Sequence, residues 1–123
     1  MTKILFVEDN PMNRDMLTRR LRRHGFDIQC AVDGPSGIEM AAKELPDVIL
    51  MDIALGEMDG WEATRIIKSN STTRPIPIIA LTAHALSSDL AKSKEVGCAG
   101  FETKPVDLER LLAKISLCLS AAA

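Results

Sequence analysis

Apolar residues along this chain fall into short unbroken runs, separated by longer stretches in which they recur every three or four positions. The two periods predict different elements. An unbroken run of four or five is the pattern of a strand buried on both faces, and the wider spacing is that of a helix with one apolar side. Residues 4–7 form the first such run. Asn10 is then placed to cap free amides, Pro11 suits a first helical position, and Met12, Met16, Leu17 and Leu21 predict a helical stripe that Gly25 terminates. The pair repeats, with a strand over 28–32 and a helix marked by Ile38, Ala41, Ala42 and Leu45 that stops against Pro46. Residues 48–51 predict the third strand. A loop holding Asp59 and Gly60 leads to a short helix over 61–68, and a polar linker over 69–74 leads to a strand over 76–81, with Pro77 near its start. A fourth helix is placed at 86–96 on irregular spacing, Ser87 and Ser88 being equally suited to a turn. A short strand over 100–103 and the stripe Leu108, Leu111, Leu112, Ile115 and Leu119, capped by Asp107, complete the pattern.

Five strands alternating with five helices predict an α/β fold: a parallel sheet flanked by helices on both faces and joined by right-handed crossovers. A chain of 123 residues that is 46% hydrophobic is sized for one core without disulfides or structural metal, and 1–123 is read as a single domain. The alanines at 121–123 are too short for an output module, and Met1 directly before the first strand sets the expectation of an independent gene product. Fifteen Lys and Arg against seventeen Asp and Glu leave a net charge of −2, which provides no overall attraction for nucleic acid or an anionic membrane. The run Arg19-Arg20-Leu21-Arg22-Arg23-His24 is locally basic, but without interleaved aromatics it reads as a solvated helix face, so no direct nucleic-acid contact is expected. Cys30, Cys98 and Cys118 are odd in number and set in apolar stretches, as suits reduced, buried thiols. With no secretory leader and no run near the roughly 20 apolar residues of a membrane span, the expectation is a cytoplasmic protein without membrane insertion.

In an open parallel sheet, ligands bind beyond the carboxyl ends of the strands. Glu8 and Asp9 follow the first run, Asp52 the third, Thr82 the fourth and Lys104 the fifth. Taken singly, Glu8 and Asp9 would be ordinary loop acids, Thr82 a helix cap and Lys104 a solvated charge. Their coincidence at strand ends reverses those readings. Three carboxylates in one crevice repel each other unless a cation sits among them. An oxygen-only donor set favours magnesium, with manganese a substitute, over zinc, which would want the His or Cys neighbours that His24 and His84 lack. A carboxylate is also a nucleophile that forms an acyl phosphate when a phosphoryl donor arrives in line. Mg2+, the Lys104 ammonium and the Thr82 hydroxyl would then neutralise the phosphoryl oxygens. Asp52 is assigned as the nucleophile, because it ends the most apolar strand and is expected deepest in the crevice. Asp9 is the better metal ligand, with Glu8 second.

These residues resemble the receiver domains of bacterial response regulators in two-component signalling, over 2–119. Val7-Glu8-Asp9-Asn10, Leu50-Met51-Asp52 followed by Met58-Asp59-Gly60, Ala80-Leu81-Thr82-Ala83 and Lys104-Pro105 look like that family's motifs in order. The resemblance implies the flavodoxin-like receiver fold with strand order 2-1-3-4-5. It makes Glu8 and Asp9 the acidic pair, Asp52 the phosphorylated residue, Thr82 the switch hydroxyl and Lys104 the phosphate-binding cation. It adds a metal contact from the backbone carbonyl of Ala54, a cis bond at Lys104-Pro105, and a role for Phe101, otherwise a core residue, as the aromatic that moves with Thr82. It further implies slow autodephosphorylation rather than enzymatic turnover. The donor would be a histidine kinase or histidine phosphotransfer protein docking on the first helix, where Arg19 and Arg23 would tune partner choice, and the phosphorylated chain would act on a further protein. The stretch 80–85, with His84 at the rim of the site, looks more like a single-domain or phosphorelay receiver than one from a transcription factor. Gly56 stands where many relatives carry Pro, which implies a more mobile loop after Asp52.

Other classes fit less well. An aspartyl phosphatase or phosphotransferase on a related sheet would want a second acid two residues after the nucleophile, where Ala54 stands, and a cap domain. A flavin or dinucleotide carrier would want a Gly-rich loop after the first strand. A receiver segment of a hybrid kinase is the remaining alternative.

Overall fold

The order of elements in the computed structural model, which describes residues 1–83 and 87–122, is strictly alternating. The strands are β1 (Lys3–Val7), β2 (Asp27–Ala31), β3 (Val48–Asp52), β4 (Ile78–Thr82) and β5 (Gly100–Thr103). The helices are α1 (Pro11–Arg23), α2 (Gly34–Glu44), α3 (Gly60–Ser69), α4 (Ser87–Val96) and α5 (Leu108–Ala122). All strand pairs are parallel and the sheet order is β2-β1-β3-β4-β5. The α/β fold, the parallel sheet and its order therefore agree with the expectation drawn from the sequence.

Side-chain alternation along β1 divides the core in two. Ile4 and Phe6 face α1 and α5, packing with Leu17, Leu21, Leu111 and Ile115. Leu5 and Val7 face the opposite side, packing with Ala41 of α2 and with Ala63 and Ile67 of α3. The central strands β3 and β4 are buried along their whole length, which is why they read as unbroken apolar runs rather than alternating ones.

Local chemistry fixes the ends of the helices. Asn10 Oδ1 accepts from the Met12 and Asn13 amides, with Pro11 inside the first turn. Asp33 and Ser36 form a reciprocal capping box on α2, and Asp59 accepts from the Glu62 amide on α3. Asp107 accepts from the Arg110 amide at the start of α5. The turn from α3 into β4 is clasped. Lys68 Nζ donates to the carbonyls of Arg74 and Ile76 at 2.9 and 2.6 Å, Arg74 returns bonds to the carbonyls of Lys68 and Ser69, and the buried Thr73 hydroxyl donates to Ile67. Burial lowers the proton affinity of Lys68.

The structure corrects several boundaries. The strand expected over 28–32 runs one residue earlier, and Val32 is exposed. The strand expected over 76–81 begins at Ile78, because Pro77 has no amide for the ladder; its carbonyl still accepts from the Ile49 amide. Helix α3 extends one residue beyond the expected span at each end. On α1 the expected stripe is wrong by half: Leu17 and Leu21 are buried with Thr18, whereas Met12 and Met16 are 76% and 49% exposed. Leu86 and His84 lie outside the described residues. All three cysteines are free, but only Cys118 is buried, Cys30 and Cys98 being half-buried. No helix among the described residues is long and apolar enough to cross a membrane.

Leu45 closes α2 in the left-handed conformation, at φ 46°, with its side chain 51% exposed. A Cβ is disfavoured there, and little burial offsets it. Leu45→Asn is expected to stabilise the fold by about 0.5–1 kcal/mol, read as a higher urea midpoint at unchanged slope.

Candidate functional site

The carboxyl ends of β1, β3, β4 and β5 bring the predicted side chains together. Glu8 prolongs the sheet by one bond past β1, its amide donating to Ala31 at 3.0 Å, and this carries its side chain inward to 1% exposure. Asp52 is the last residue of β3 and is 2% exposed. Lys104 leaves β5 with its amide donating to the carbonyl of Thr82 at 2.7 Å, and its peptide bond to Pro105 is cis. The Lys104 ammonium then lies 2.9 Å from Glu8 Oε1 and 3.1 Å from Asp52 Oδ1.

Asp9 is exposed where Glu8 and Asp52 are buried, yet one carboxylate oxygen from each of the three lies within 4.8 Å of the others. That donor set is all oxygen, matches a hard divalent ion, and has one face open to water on the Asp9 side. Burial and a hydrogen bond with Asp52 push the Glu8 carboxyl up to about 7, against the opposing pull of Lys104. Burial alone would lower the proton affinity of Lys104, but its bonds to Glu8 and Asp52 outweigh this and raise it. The arrangement is a compact cluster in which one cation serves two buried acids.

The remaining predicted residues lie on the neighbouring strands β4 and β5 and in the turn after β3. Thr82 ends β4, is 6% exposed, and sits opposite Thr103 in the sheet register. Phe101 pairs with Ala80 and is half-buried. The Ala54 amide donates to Asp52 Oδ1 at 3.2 Å, so the turn after β3 orients that carboxylate. Gly60 packs against the same turn, its amide bonding to the carbonyl of Ile53. Glu8 is buried as deeply as Asp52, which corrects the expectation that Asp52 alone lies deepest. Its extra ladder bond, invisible in the apolar pattern, is the reason.

Two contributors escaped the sequence reading. The Asn10 amide donates to Glu8 Oε2 at 3.3 Å, and Arg14 reaches back from the first turn of α1 to the carbonyl of Glu8 at 2.9 Å. The spacing signals the second: a residue one turn past an N-cap lies over the strand end that precedes it. A cleft of about 480 Å3 opens beside the cluster, its walls including Leu17, Arg20, Pro105 and Val106 together with Glu8 and Lys104.

Comparison with known proteins places this geometry among relatives. Residues 4–116 match the family model described as the response regulator receiver domain. The chain is similar to Protein PilH of Pseudomonas aeruginosa, with 38% identity over 120 residues that cover 98% of this chain and 99% of PilH. Among solved structures it resembles the chemotaxis protein CheY4 of Vibrio cholerae, at TM-score 0.91 and 30% identity over 97% of this chain and 99% of that one. It also resembles the receiver domain of the sensor histidine kinase PA1611 of Pseudomonas aeruginosa, at TM-score 0.89 and 34% identity over 97% and 98%. In that protein a magnesium ion is coordinated in the active site cleft.

Proposed function

Because the chain belongs to the response regulator receiver domain family, a signalling rather than a classical enzyme family, we propose that it accepts a phosphoryl group on Asp52 and uses it to switch protein contacts. The observation that carries this reading is the shared ammonium: Lys104 lies within 3.1 Å of Asp52 and 2.9 Å of Glu8 in a pocket that excludes most water. A carboxylate so paired, and also accepting from the Ala54 amide, is held in one orientation, as a nucleophile must be. The P–N bond of a phosphohistidine breaks as a P–O bond to an Asp52 oxygen forms, and the imidazole leaves with the electron pair. A bound Mg2+, or Mn2+ in its place, would neutralise charge on the phosphoryl oxygens. Glu8, Asp9 and Asp52 would hold that ion, with the backbone carbonyl of Ala54.

Lys104 would then exchange Asp52 Oδ1 for a phosphoryl oxygen while keeping Glu8. Thr82, at the end of the neighbouring strand, would turn its hydroxyl to the same group, and the half-buried Phe101 ring would follow into the space released. Loss of the phosphoryl group by slow hydrolysis would reset the site. The partners on this reading are a histidine kinase or histidine phosphotransfer protein, which would approach along α1 and the adjoining cleft, and a downstream protein target. Residues 1–123 would work as one cytoplasmic unit.

Incubation with Mg2+ and acetyl phosphate is expected to add one base-labile phosphoryl group, seen by intact mass. Asp52→Ala is expected to abolish it, and a label that persists in that variant would remove Asp52 from the mechanism.

A further inference from the structure

A third buried carboxylate stands near the site without taking part in the chemistry above. Glu102 is 3% exposed in the middle of β5, two residues before Lys104 and therefore on the same side of the strand. Its Oε2 lies 2.5 Å from Lys114 Nζ on α5, and its Oε1 lies 3.5 Å from Arg110 Nη2 and 3.2 Å from the Thr103 amide. Arg110 in turn lies 3.9 Å from Asp107, which caps the same helix. These contacts join the end of β5 to the first two turns of α5. The segment they bracket, 104–107, is the one that carries Lys104.

We infer that Glu102, held by Lys114 and Arg110, is a positioning residue for Lys104, and the inference rests on Asp52 being the phosphoacceptor. Lys104 has a long flexible stem, so its ammonium can meet Glu8 and Asp52 together only if the backbone on both sides of it is fixed; the Thr82 carbonyl fixes one side, and the Glu102 bracket fixes the other. An unpaired carboxylate at position 102 would also lie about 7 Å along the strand from Lys104, close enough to compete for its ammonium. Lys114 and Arg110 prevent that by occupying both Glu102 oxygens. A purely packing role would be met as well by an apolar side chain, since position 102 is buried and lies in register with Leu81 of the core.

The test compares Lys114→Met, Lys114→Arg and Glu102→Gln in the full chain, with thermal unfolding as the fold check. One measurement is the labelling rate with acetyl phosphate and Mg2+; the other is the 15N resonance of the Lys104 ammonium, which reports its ion pairs without any phosphoryl chemistry. Lys114→Met is expected to slow labelling about tenfold and to shift the Lys104 resonance, while Lys114→Arg restores both. Glu102→Gln removes bracket and competitor together and is expected to slow labelling less, by about threefold, with a smaller shift. If Lys114→Met lowers the unfolding temperature but leaves the Lys104 resonance and the labelling rate as in the wild type, the bracket is only structural and the inference is overturned. If Lys114→Met does not fold, Glu102→Gln decides by the same two measurements. A wild-type chain that takes no label overturns the phosphoacceptor reading instead, and the Lys104 resonance still shows whether the bracket positions the ammonium.

Discussion

Replacing Gly60 with alanine is expected to cost about 3 kcal/mol or more of stability and to remove phosphoryl acceptance in whatever fraction remains folded. A Cβ at this position would overlap the carbonyl oxygen of Asp52 and stand 2.7 Å from Cα of Ile53, both backbone atoms that no side-chain rotation can move aside. The first turn of α3 and the turn after β3 must therefore separate, and the Asp52 carboxylate moves with its backbone. Displacement of a reacting group by about an ångström is enough to cost some 100-fold in rate. Gly56, four residues after Asp52, is the internal control: a Cβ there meets nothing within 4 Å, so Gly56→Ala is expected to leave both stability and labelling nearly unchanged. Urea unfolding and the acetyl phosphate assay together check the contrast. Equal behaviour of the two variants would show that close approach at Gly60 does not set the site.

The second large effect is the link between metal and protons. The Glu8 carboxyl is raised from 4.5 to about 7 in the folded, metal-free chain, chiefly by burial. The unfolded chain releases this proton near 4.5 while the folded chain keeps it, so the metal-free fold loses stability as pH rises from about 4.5 to about 7, then levels off. A tenfold difference in proton affinity between the two states is worth about 1.4 kcal/mol, which sets the whole loss at a few kcal/mol. Below 4.5 both states hold the proton and the contribution is complete. Lys104, raised by its carboxylate partners, contributes in the opposite range, its stabilisation being lost only at alkaline pH. A divalent ion favours the ionised acid. Magnesium is therefore expected to bind more tightly as pH rises through about 7 and, at about pH 6 to 6.5, to release a large fraction of one proton on binding. Isothermal titration in buffers of different ionisation enthalpy measures that release directly. Glu8→Gln should abolish it, and a wild-type titration with no buffer dependence would contradict the assignment of Glu8.

How much of this was legible in the sequence follows from what each residue type reveals. The buried strands β3 and β4 announce themselves because both faces are covered, so 48–51 and 78–81 are unbroken apolar runs. Helix α5 is equally plain: of its predicted stripe Leu111 and Ile115 lie in the core and Leu108, Leu112 and Leu119 pack against it half-buried, while Cys118, outside that stripe, is buried as well. The methionines of α1 misled because an apolar side chain at helical spacing need not face the core, and Met12 and Met16 lie on the exposed side. The start of edge strand β2 was missed by a residue because its burial is interrupted: Ile28 and Ala31 are buried on opposite faces, Gln29 and Cys30 only half-buried, and Asp27 exposed. In the site, residue type and strand-end position were enough to gather Glu8, Asp9, Asp52, Thr82 and Lys104. What they could not convey was rank. Nothing in the order of letters says that Glu8 continues the sheet and sinks to 1% exposure while Asp9 stays in water. The bracket around Glu102 was invisible for a similar reason, since its partners lie eight and twelve positions along the chain and meet it only across the β5–α5 turn.

The clasp between α3 and β4 has a consequence for how a signal would travel. With Lys68, Thr73 and Arg74 tying the helix end to the approach of the strand, and the Pro77 and Ile78 carbonyls engaged by Ile49 and Ala99, the amino end of β4 is pinned. The strand has no freedom to slide as a rod. On the proposed reading, a shift started at Thr82 would be felt away from that end, towards α4, whose only deeply buried side chains among the described residues are Ser93 and Val96. On that same reading, the direction in which news of phosphorylation would leave the sheet is set by the end of β4 that is bolted down.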